Sequence, residues 1–598
     1  MKNKSRTDES AFFNLRVFIG LCIVLGGVFL GLLGLIASST QGRQKYGNTT
    51  VLTDPIVPTP FDCSKIHELG IDKQVNMRAG AIMIACGLSE GGIPFHGGGI
   101  SRFVQKLIAP MSYGGTDVDL ITGTETFPHV TQSTTFSTAN PDNPNQIVVA
   151  YNDSGRGGEA SVSTDGGTTF TRLTYNGQSP FPNTGSPVIV YSRHSSTWYT
   201  VWLDAECGGL GGYKSTTPWD PSPASWTHYC VHNGCCDDRQ SGWVDNNPSS
   251  PFYGRMYVSW NDFNVGGGAL FVTMSTDDGN TWNPHQVTNG SPFIRDVQIT
   301  GDLITGDVYI AGMDEGGGGF PHNDTNYFFR STDGGNTWTN TYVGTPFPGP
   351  GVTHCPTNSY FACMFSDNGG YWQHEGWGEP AALNGVVHYV YDQHGTGSDP
   401  ADVYYIRSTD RGVTFSVPMK LNTDTSSRPN WEPNLSVSLS GTLFAVWYDA
   451  RESNSCTYGD PTVPCYRMWA RKSDDGGLSW LPDDTFSDVV SPLPAQVDPG
   501  LVSYYAGDYD YGSAIASKHV SSWMDGRVAI NNTSQQDAFF DSEPSTASTP
   551  TPTPTPTASP SATATATATA TVTPPPTATP TARATPTPRS RPTPPPRP

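Results

Sequence analysis

The sequence predicts an all-β chain folded as a seven-bladed β-propeller, with six blades as the alternative count. Three observations predict this fold: a composition rich in Gly and Trp, an octapeptide that occurs five times, and a short β-rich run ending in Asp that occurs seven times. The 598 residues include 65 Gly and 15 Trp, and 11% are aromatic. This composition suits an extracellular all-β protein better than a helical cytosolic enzyme.

The octapeptide has the pattern Ser-x-Asp-x-Gly-x-Ser/Thr-Trp/Phe. Its five copies begin at Ser163, Ser275, Ser331, Ser408 and Ser473, with Asp in place of Thr at the second position of the last copy. The pattern predicts a hairpin turn in which the Asp accepts backbone N–H groups, the Gly takes a positive φ and the aromatic packs beneath. The wide gap between the first two copies predicts a decayed copy near 215–226.

A second repeat interleaves with the octapeptides and predicts one strand per blade. Its seven copies are Val148–Asp153, Tyr199–Asp204, Tyr257–Asp262, Tyr309–Asp314, His388–Asp392, Phe444–Asp449 and Val520–Asp525. A unit of four short strands repeated along a chain is a propeller blade. Only Asp537–Phe540 remains as strand after the last copy, so we expect a strand near 117–122 to complete the last blade.

The ends of the chain differ from this central region. Val17–Ile36 is apolar and uncharged and follows four basic residues, which predicts either a membrane anchor with the N-terminus inside or a cleaved signal peptide. Both interpretations place the rest of the chain outside the cell or at its surface. The predicted regions are a cytoplasmic stub and anchor or signal over 1–45, an extension over 46–115, the propeller over 116–542 and a disordered Pro/Thr/Ala-rich tail over 543–598. A short helix is expected within the extension, from about Gln74 to Ala85.

Charge and cysteine content narrow the function classes. The net charge of −21 excludes the basic footprint that a nucleic-acid-binding protein needs. Ten cysteines lie outside the apolar run and predict disulfides in an exported protein. The expected local pairs are Cys63–Cys86, Cys355–Cys363 and Cys456–Cys465. The other four, Cys207, Cys230, Cys235 and Cys236, leave three connectivities open, with a zinc site of Cys230, Cys235, Cys236 and His232 as an alternative.

The octapeptide resembles the Asp box, or BNR repeat, of the sialidase superfamily. The resemblance covers 116–541 and is greatest to exported bacterial exo-α-sialidase-like proteins, whose last blade resembles Gly507–Tyr509 and Trp523–Arg527 here. It implies that the octapeptides lie on one face and that ligands bind on the opposite face, where the first strand of each blade begins. It also implies an extracellular sialidase-like glycoside hydrolase that acts on surface or environmental glycans without a required cofactor.

Candidate site residues follow from this geometry. Acidic residues recur where several first strands are expected to begin, and sialidases also use arginines and a tyrosine nucleophile. The candidate catalytic residues are Asp296, Glu379, Glu432, Asp508 and Tyr505. The candidate substrate-binding residues are Asp238, Arg239, Arg295, Arg451 and Arg527. No Arg-Ile-Pro motif precedes the first octapeptide, so the sequence departs there from the family pattern.

Three roles for the acidic residues stay open. Paired carboxylates could act as acid and base in glycoside hydrolysis, a ring of carboxylates could hold Ca²⁺, or the acids could cap strand ends. The alternative function is a non-catalytic cell-surface propeller that binds glycan or protein, with or without Ca²⁺. His374 and Glu375, near Trp372 and Trp377, either line a sugar subsite or pack a long loop.

Overall fold

The computed structural model describes residues 49–51, 60–94, 105–106, 113–123, 125–173, 183–220, 222, 225–355, 360–366, 370–454, 464–530 and 533–546. The chain divides into two compact units, Met1–Ala547 and Ser548–Pro598, and the second lies outside the described residues. The predicted anchor and almost all of the predicted tail lie outside them too. No helix among the described residues is long and apolar enough to cross a membrane.

Seven antiparallel sheets follow one another along the chain and confirm the seven-bladed propeller. The strands of blades 1 and 2 are Gln132–Asn140, Asn143–Asp153, Gly157–Ser163 and Thr171–Leu173, then Val188–Ser192, Thr197–Leu203, Leu210–Ser215 and Thr227–His232. Those of blades 3 and 4 are Asp237–Val244, Met256–Asp262, Ala269–Ser275 and Asn283–Gln286, then Ile294–Gly301, Val308–Asp314, Asn323–Ser331 and Thr339–Val343. Those of blades 5 and 6 are Gly378–Leu383, Val386–Gln393, Asp402–Ser408 and Met419–Lys420, then Asn430–Val437, Leu443–Asp449, Cys465–Ser473 and Asp484–Thr485.

Blade 7 joins the two ends of the propeller. It contains Ser513–Ala514, Lys518–Asp525 and Asp537–Pro544, and the N-terminal strand Val118–Asp119 pairs with Phe539 and Phe540 as its outer strand. Asp510–Tyr511 pairs in parallel with the first strand of blade 1. The first strands of neighbouring blades contact one another around the hub. The predicted closure by a strand near 117–122 is therefore confirmed.

The octapeptides form the expected turns between third and fourth strands. In the first copy, the Asp165 carboxylate accepts hydrogen bonds from the Thr169 N–H at 3.0 Å and its hydroxyl at 2.7 Å, and Gly167 has φ 96°. The same bonds recur at Asp277, Asp333, Asp410 and Asp475. In blade 2, the predicted decayed copy joins strands ending at Ser215 and beginning at Thr227. We call this side of the propeller the octapeptide face, and the side where first strands begin the entry face.

The hydrophobic core lies mostly between adjacent blades. One cluster joins blades 1, 2 and 3 through residues such as Val148, Trp202 and Trp260, which are almost fully buried. Similar clusters fill the other blade interfaces. Because second strands are buried on both faces, each reads as a short run rich in aromatic and β-branched residues. This burial explains why the second repeat is so regular in sequence.

Three segments outside the blades pack together into one layer, which we call the cover. They are the described residues of 60–94, of 353–374 and of 495–508, and they share a hydrophobic cluster that includes Ile71, Phe361 and Leu501. The cover contains the strands Pro60–Asp62, Thr353–His354, Ala362–Phe365 and Tyr371–His374, the 3₁₀ turns Cys63–Lys65 and Ile71–Lys73, and the helix Met77–Ala85. Short strands also occur at Thr49–Val51, Gln105–Lys106, Phe347–Pro348, Val489–Pro492, Ala529–Ile530 and Thr533–Ser534, and a 3₁₀ turn at Arg451–Asn454.

Local sequence determines the helix of the cover. The Asn76 side chain accepts a hydrogen bond from the Ala79 N–H at 2.7 Å and caps the N-terminus. Gly87, with φ 80°, follows the last turn and ends the helix. The helix begins three residues later than the predicted Gln74 and ends at the predicted Ala85.

Disulfides stabilise both the cover and blade 2, each through bonds within its own residues. The expected pairs Cys63–Cys86 and Cys355–Cys363 are formed, and Cys207 pairs with Cys230. Cys465 is also disulfide-bonded, and its expected partner Cys456 lies outside the described residues. Cys235 and Cys236 are free thiols. The alternative zinc site is wrong, because the disulfide removes the Cys230 thiolate that it needs.

Candidate functional site

The first strands enter the hub with a recurrent irregularity. In four blades, the ladder between first and second strands shifts register just after the strand begins. The residue at the shift has a left-handed backbone although it is not glycine: φ is 53° at Thr134, 55° at Arg239, 53° at Asp296 and 46° at Glu432. Such bulges re-aim side chains, and left-handed backbone at these residue types costs about 1–3 kcal/mol and clusters at functional sites. Three of the four are predicted site residues.

Two predicted arginines meet at the centre of the entry face. Arg239 Nε lies 3.3 Å from Asp296 Oδ1, and its Nη2 donates to Glu375 Oε1. Arg295 lies 3.0 Å from Asp238 Oδ2, 3.2 Å from Glu315 Oε1 and 3.2 Å from Glu375 Oε1. Glu375 therefore links the two guanidinium groups. We call these six residues the arginine–carboxylate cluster: Asp238, Arg239, Arg295, Asp296, Glu315 and Glu375.

Burial and the two arginines together shift the pKa values of these carboxylates in opposite directions. Desolvation raises the pKa of Asp296 to about 7 and raises that of Glu315 well above its ordinary value. Burial acts on Glu375 in the same direction, but Arg239 and Arg295 hold its pKa below the usual range. Neighbouring carboxyl groups with pKa values pushed apart are characteristic of acid–base sites. Clustered carboxylate oxygens are also the ligands that Ca²⁺ prefers.

A second buried group lies beside the cluster. His374 Nε2 is 2.6 Å from Asp392 Oδ2, and its Nδ1 is 3.5 Å from Glu432 Oε1. The indole N–H of Trp372 donates to Glu432 Oε1 at 2.8 Å. Although burial lowers the pKa of His374, the two carboxylates hold it well above its ordinary value. The carboxylate of the predicted catalytic residue Glu432 thus has two buried partners, and both belong to the cover.

The candidate nucleophile Tyr505 lies on the cover and pairs with a candidate acid. Its hydroxyl lies 3.2 Å from Asp508 Oδ1 and accepts a hydrogen bond from Asn152 Nδ2 at 2.8 Å. Thr134 also donates to Asp508. Burial raises the pKa of Asp508 to about 7 and that of Tyr505 well above 10. Deprotonation of this tyrosine is therefore unfavourable in the closed structure.

Each of the other two predicted arginines pairs with the Asp that ends the second strand of its own blade. Arg451 pairs with Asp449, which ends the second strand of blade 6, and stacks over Trp469 at 3.6 Å. Arg527 pairs in the same way with Asp525 in blade 7. Among the ion pairs of the described residues, neither contacts the arginine–carboxylate cluster. The structure brings two predicted arginines together and leaves these two apart.

The cover closes the entry face over these residues. Asn76 Nδ2 donates to Asp238 Oδ1 at 2.6 Å, Arg78 donates to the Asp237 carbonyl at 3.0 Å, and Arg295 donates to the Lys73 carbonyl. The exposed fraction is 2% or less for Arg239, Asp296, Glu432, Asp508 and Tyr505. The structure therefore places the predicted ligand mouth in the interior of the protein, where its side chains contact one another. His374, Glu375, Trp372 and Trp377 are buried there too.

The central channel is open at the opposite end. A cavity of about 600 Å³ is lined by the second halves of the first strands and by the loops that follow them, which lie at the octapeptide face. Aromatic and charged side chains share its wall: Tyr191, Arg193, Trp243, Asp245, Glu379 and Tyr511. Glu379 is the predicted catalytic residue that reaches this cavity. Burial raises its pKa well above its ordinary value, and its Oε2 accepts a hydrogen bond from the Leu435 N–H at 3.1 Å.

Two acidic residues of the buried centre were missed by sequence reasoning. Glu315 directly follows Asp314, the last residue of the second strand of blade 4. The equivalent residues in the other blades are Ser154, Ala205, Phe263, Gln393, Ala450 and Gly526. Blade 4 alone has an acidic residue at this position, and this departure from the repeat could have identified Glu315 from the sequence. Asp324 on the third strand of blade 4 carried no such signal; it is fully buried, with no hydrogen bond to either oxygen from the described residues.

No protein-family model matches the sequence, and no curated protein matches it. Similar solved structures include the GH74 enzyme of Niastella koreensis, at 14% identity and TM-score 0.35, covering 72% of this chain and 71% of that one. A GH93 α-L-arabinofuranosidase of Fusarium graminearum has 11% identity, TM-score 0.30 and coverage of 50% and 92%. A GH62 α-L-arabinofuranosidase of Coprinopsis cinerea has 14% identity, TM-score 0.29 and coverage of 51% and 96%. Likeness at this level assigns no activity to the chain.

Proposed function

We propose that the protein is an extracellular carbohydrate-binding propeller that takes its ligand into the central channel from the octapeptide face. The observation that carries the proposal is the cavity of about 600 Å³ at that end. Ligand sites in proteins are typically concave, about 300–1,000 Å³ in volume, and lined by aromatic side chains with a few polar groups. The entry face, by contrast, is filled by the cover.

The wall of the channel has the chemistry that sugars require. Trp243, Tyr191 and Tyr511 offer flat apolar surfaces for the C–H faces of a pyranose ring. Arg193 and Asp245 add polar groups to the same wall. Arg193 is 30% exposed and its Nε donates to Asp142 Oδ2 at 3.0 Å, so its guanidinium is held in position and still reaches solvent.

Glycoside hydrolysis in the same channel is the second candidate function, and Glu379 favours it. Burial raises the pKa of Glu379, and a carboxyl group that holds its proton more readily in this way can donate it to a leaving-group oxygen. Hydrolysis also needs a second carboxylate, and Asp245 is the other acidic residue among the described residues that line the cavity. Sialidase activity is the specific form that the sequence resemblance implies. It would require the cover to open, because Arg239 and Arg295 lie beneath it.

The test combines binding with turnover. Wild-type protein and the variants Trp243→Ala and Glu379→Gln are assayed on a glycan array, by calorimetry on the best ligand, and on a panel of aryl glycosides that includes an aryl sialoside. The control variant is Trp219→Ala, whose indole is 36% exposed and lies outside the channel wall. We expect Trp243→Ala to weaken binding about tenfold or more, as loss of a buried aromatic contact does at binding sites, and Trp219→Ala to leave it unchanged.

The outcomes separate the candidates. Saccharide binding without turnover supports the binding protein, whereas turnover that Glu379→Gln abolishes while binding persists supports the hydrolase. Turnover of the sialoside that Glu379→Gln does not affect would place the chemistry at the entry face. Absence of binding to every glycan would overturn the proposal.

A further inference from the structure

We propose that the arginine–carboxylate cluster binds one Ca²⁺ ion, which fastens the cover to the propeller. The ligands are the carboxylates of Asp296, Glu315 and Glu375. One ligand oxygen of each lies within 4.8 Å of those of the other two. This inference concerns the closed entry face and does not depend on the function proposed for the channel.

In each of the three carboxylates, one oxygen faces an arginine and the other oxygen does not. Asp296 Oδ1 faces Arg239, Glu315 Oε1 faces Arg295, and Glu375 Oε1 faces both guanidinium groups. The second oxygen of each carboxylate receives no hydrogen bond from the described residues. All three side chains are fully buried. An unsatisfied carboxylate oxygen in the interior is costly, so three of them on carboxylates that approach within 4.8 Å of one another point to a ligand that they share.

The net charge of the cluster indicates that the shared ligand is a divalent cation. Two guanidinium groups face four carboxylates, those of Asp238, Asp296, Glu315 and Glu375. With all groups ionised, the cluster carries two uncompensated negative charges in a region closed to water. One divalent cation neutralises both. Oxygen-only ligands suit Ca²⁺, which accepts irregular geometry more readily than Mg²⁺ does.

The cluster joins two parts of the protein that are distant in sequence. Asp296 lies on the first strand of blade 4 and Glu315 directly follows its second strand, whereas Glu375 directly follows the last strand of the cover, Tyr371–His374. A cation held by all three therefore ties the cover to the propeller. The rival arrangement has two protons in place of the cation, since burial raises the pKa of Asp296 to about 7 and that of Glu315 well above its usual value.

The test measures the metal directly. Purified full-length protein is stripped with a chelator and dialysed against CaCl₂ at about 1 mM, within the range where extracellular sites are filled. Bound metal is counted by mass spectrometry, and Ca²⁺ and Mg²⁺ affinities are measured by calorimetry. Limited proteolysis within 60–94 and the thermal midpoint are compared with and without the chelator. We expect one Ca²⁺ per chain, faster cleavage of the cover in chelator and a midpoint lower by a few degrees.

Variants locate the ion. Glu315→Gln should weaken Ca²⁺ affinity about tenfold or more, because affinity depends on the charge of the ligands. The matched control is Glu159→Gln, a buried carboxylate in blade 1 that pairs with Arg172 outside the cluster, and it should bind Ca²⁺ as wild type does. If Glu315→Gln does not fold, the wild-type metal count and the chelator-dependent cleavage of the cover decide whether the proposal holds. Wild type that binds no Ca²⁺, or binds Mg²⁺ more tightly, overturns the proposal, and so does Ca²⁺ binding that Glu315→Gln leaves unchanged.

Discussion

The two ends of the central channel are built by the same first strands, yet one is closed and the other is open. At the entry face, side chains such as Arg295 and Asp296 are fully buried beneath the cover. At the octapeptide face, short loops surround a cavity of about 600 Å³. The difference arises from segments outside the repeat, because the blades alone would leave both ends accessible. The octapeptide repeat therefore identifies the two faces of the propeller, but segments outside the repeat determine which face is open to a ligand.

The largest expected effect on stability comes from removing one arginine of the cluster at the closed entry face. Arg295→Met leaves Asp238, Glu315 and Glu375 buried without one of their cations, and breaking a buried ion pair in this way costs about 3–5 kcal/mol. The control Arg156→Met removes a half-exposed guanidinium 3.9 Å from Glu159 and should change stability by less than about 0.5 kcal/mol. Denaturant unfolding measures both. Equal effects of the two variants would contradict the role given to the cluster.

The next effect concerns the attachment of the cover. Replacing Cys63 and Cys86 together by Ser opens a loop with a sequence separation of 23 residues, which corresponds to about 3 kcal/mol in the chain-entropy account of disulfides. We expect 60–94 to become the first site of proteolysis, while the blades keep their far-ultraviolet circular dichroism. Mass spectrometry of the fragments checks this expectation. First cleavage inside a blade would show that the cover is not held mainly at this point.

A smaller effect is expected at the octapeptide face. Asp165→Asn removes an ionised acceptor from an exposed turn and should cost about 1 kcal/mol. Hydrogen bonds from Thr169 lower the pKa of Asp165 to about 2. A depressed carboxyl pKa means that this stabilisation is present above pH 4 and is lost as the pH falls towards 2. Unfolding curves between pH 5 and 2 should therefore converge for wild type and variant, and a constant difference would refute this origin.

The smallest effect concerns the rim of the entry face, where Cys235 and Cys236 precede the first strand of blade 3. A hydrogen bond from Cys236 lowers the pKa of Cys235 to about 6, and Cys235 is exposed whereas Cys236 is buried. At pH 7, iodoacetamide should modify Cys235 much faster than Cys236. Peptide mapping after short exposure measures the ratio. Equal modification of the two thiols would show that the buried side of this rim opens to solvent.

Much of the fold could be predicted because its signals are local. The octapeptide carries its own hydrogen bonds between residues such as Asp165 and Thr169, so each turn is encoded within eight residues. Second strands are recognisable because burial on both faces demands apolar side chains in every blade. The starts of the first strands were placed within two or three residues in most blades, for instance at Arg295 and Glu432, since propeller topology follows from the repeat.

The site could be predicted only in part. Arg239 and Arg295 are predicted from the sequence as substrate-binding residues, whereas in the structure both pair with Glu375, for which the sequence suggests only a sugar subsite or a packed loop. Glu375 belongs to an insertion between blades 4 and 5, and nothing in the repeat indicates where such an insertion folds. Arg451 is a predicted substrate-binding residue, but its guanidinium pairs with Asp449, the repeated Asp that ends the second strand of its own blade.

The sequence by itself determined the seven blades, the turns of the octapeptide face and the local disulfides, because each depends on residues close together in the chain. Only the tertiary structure decided that the entry face is closed and that the channel is open at the other end. The contacts that close it join residues separated by 136 positions between Arg239 and Glu375, and by 162 between Asn76 and Asp238. Pairings at such separations depend on where the cover comes to rest on the finished propeller, and local sequence patterns do not encode that position.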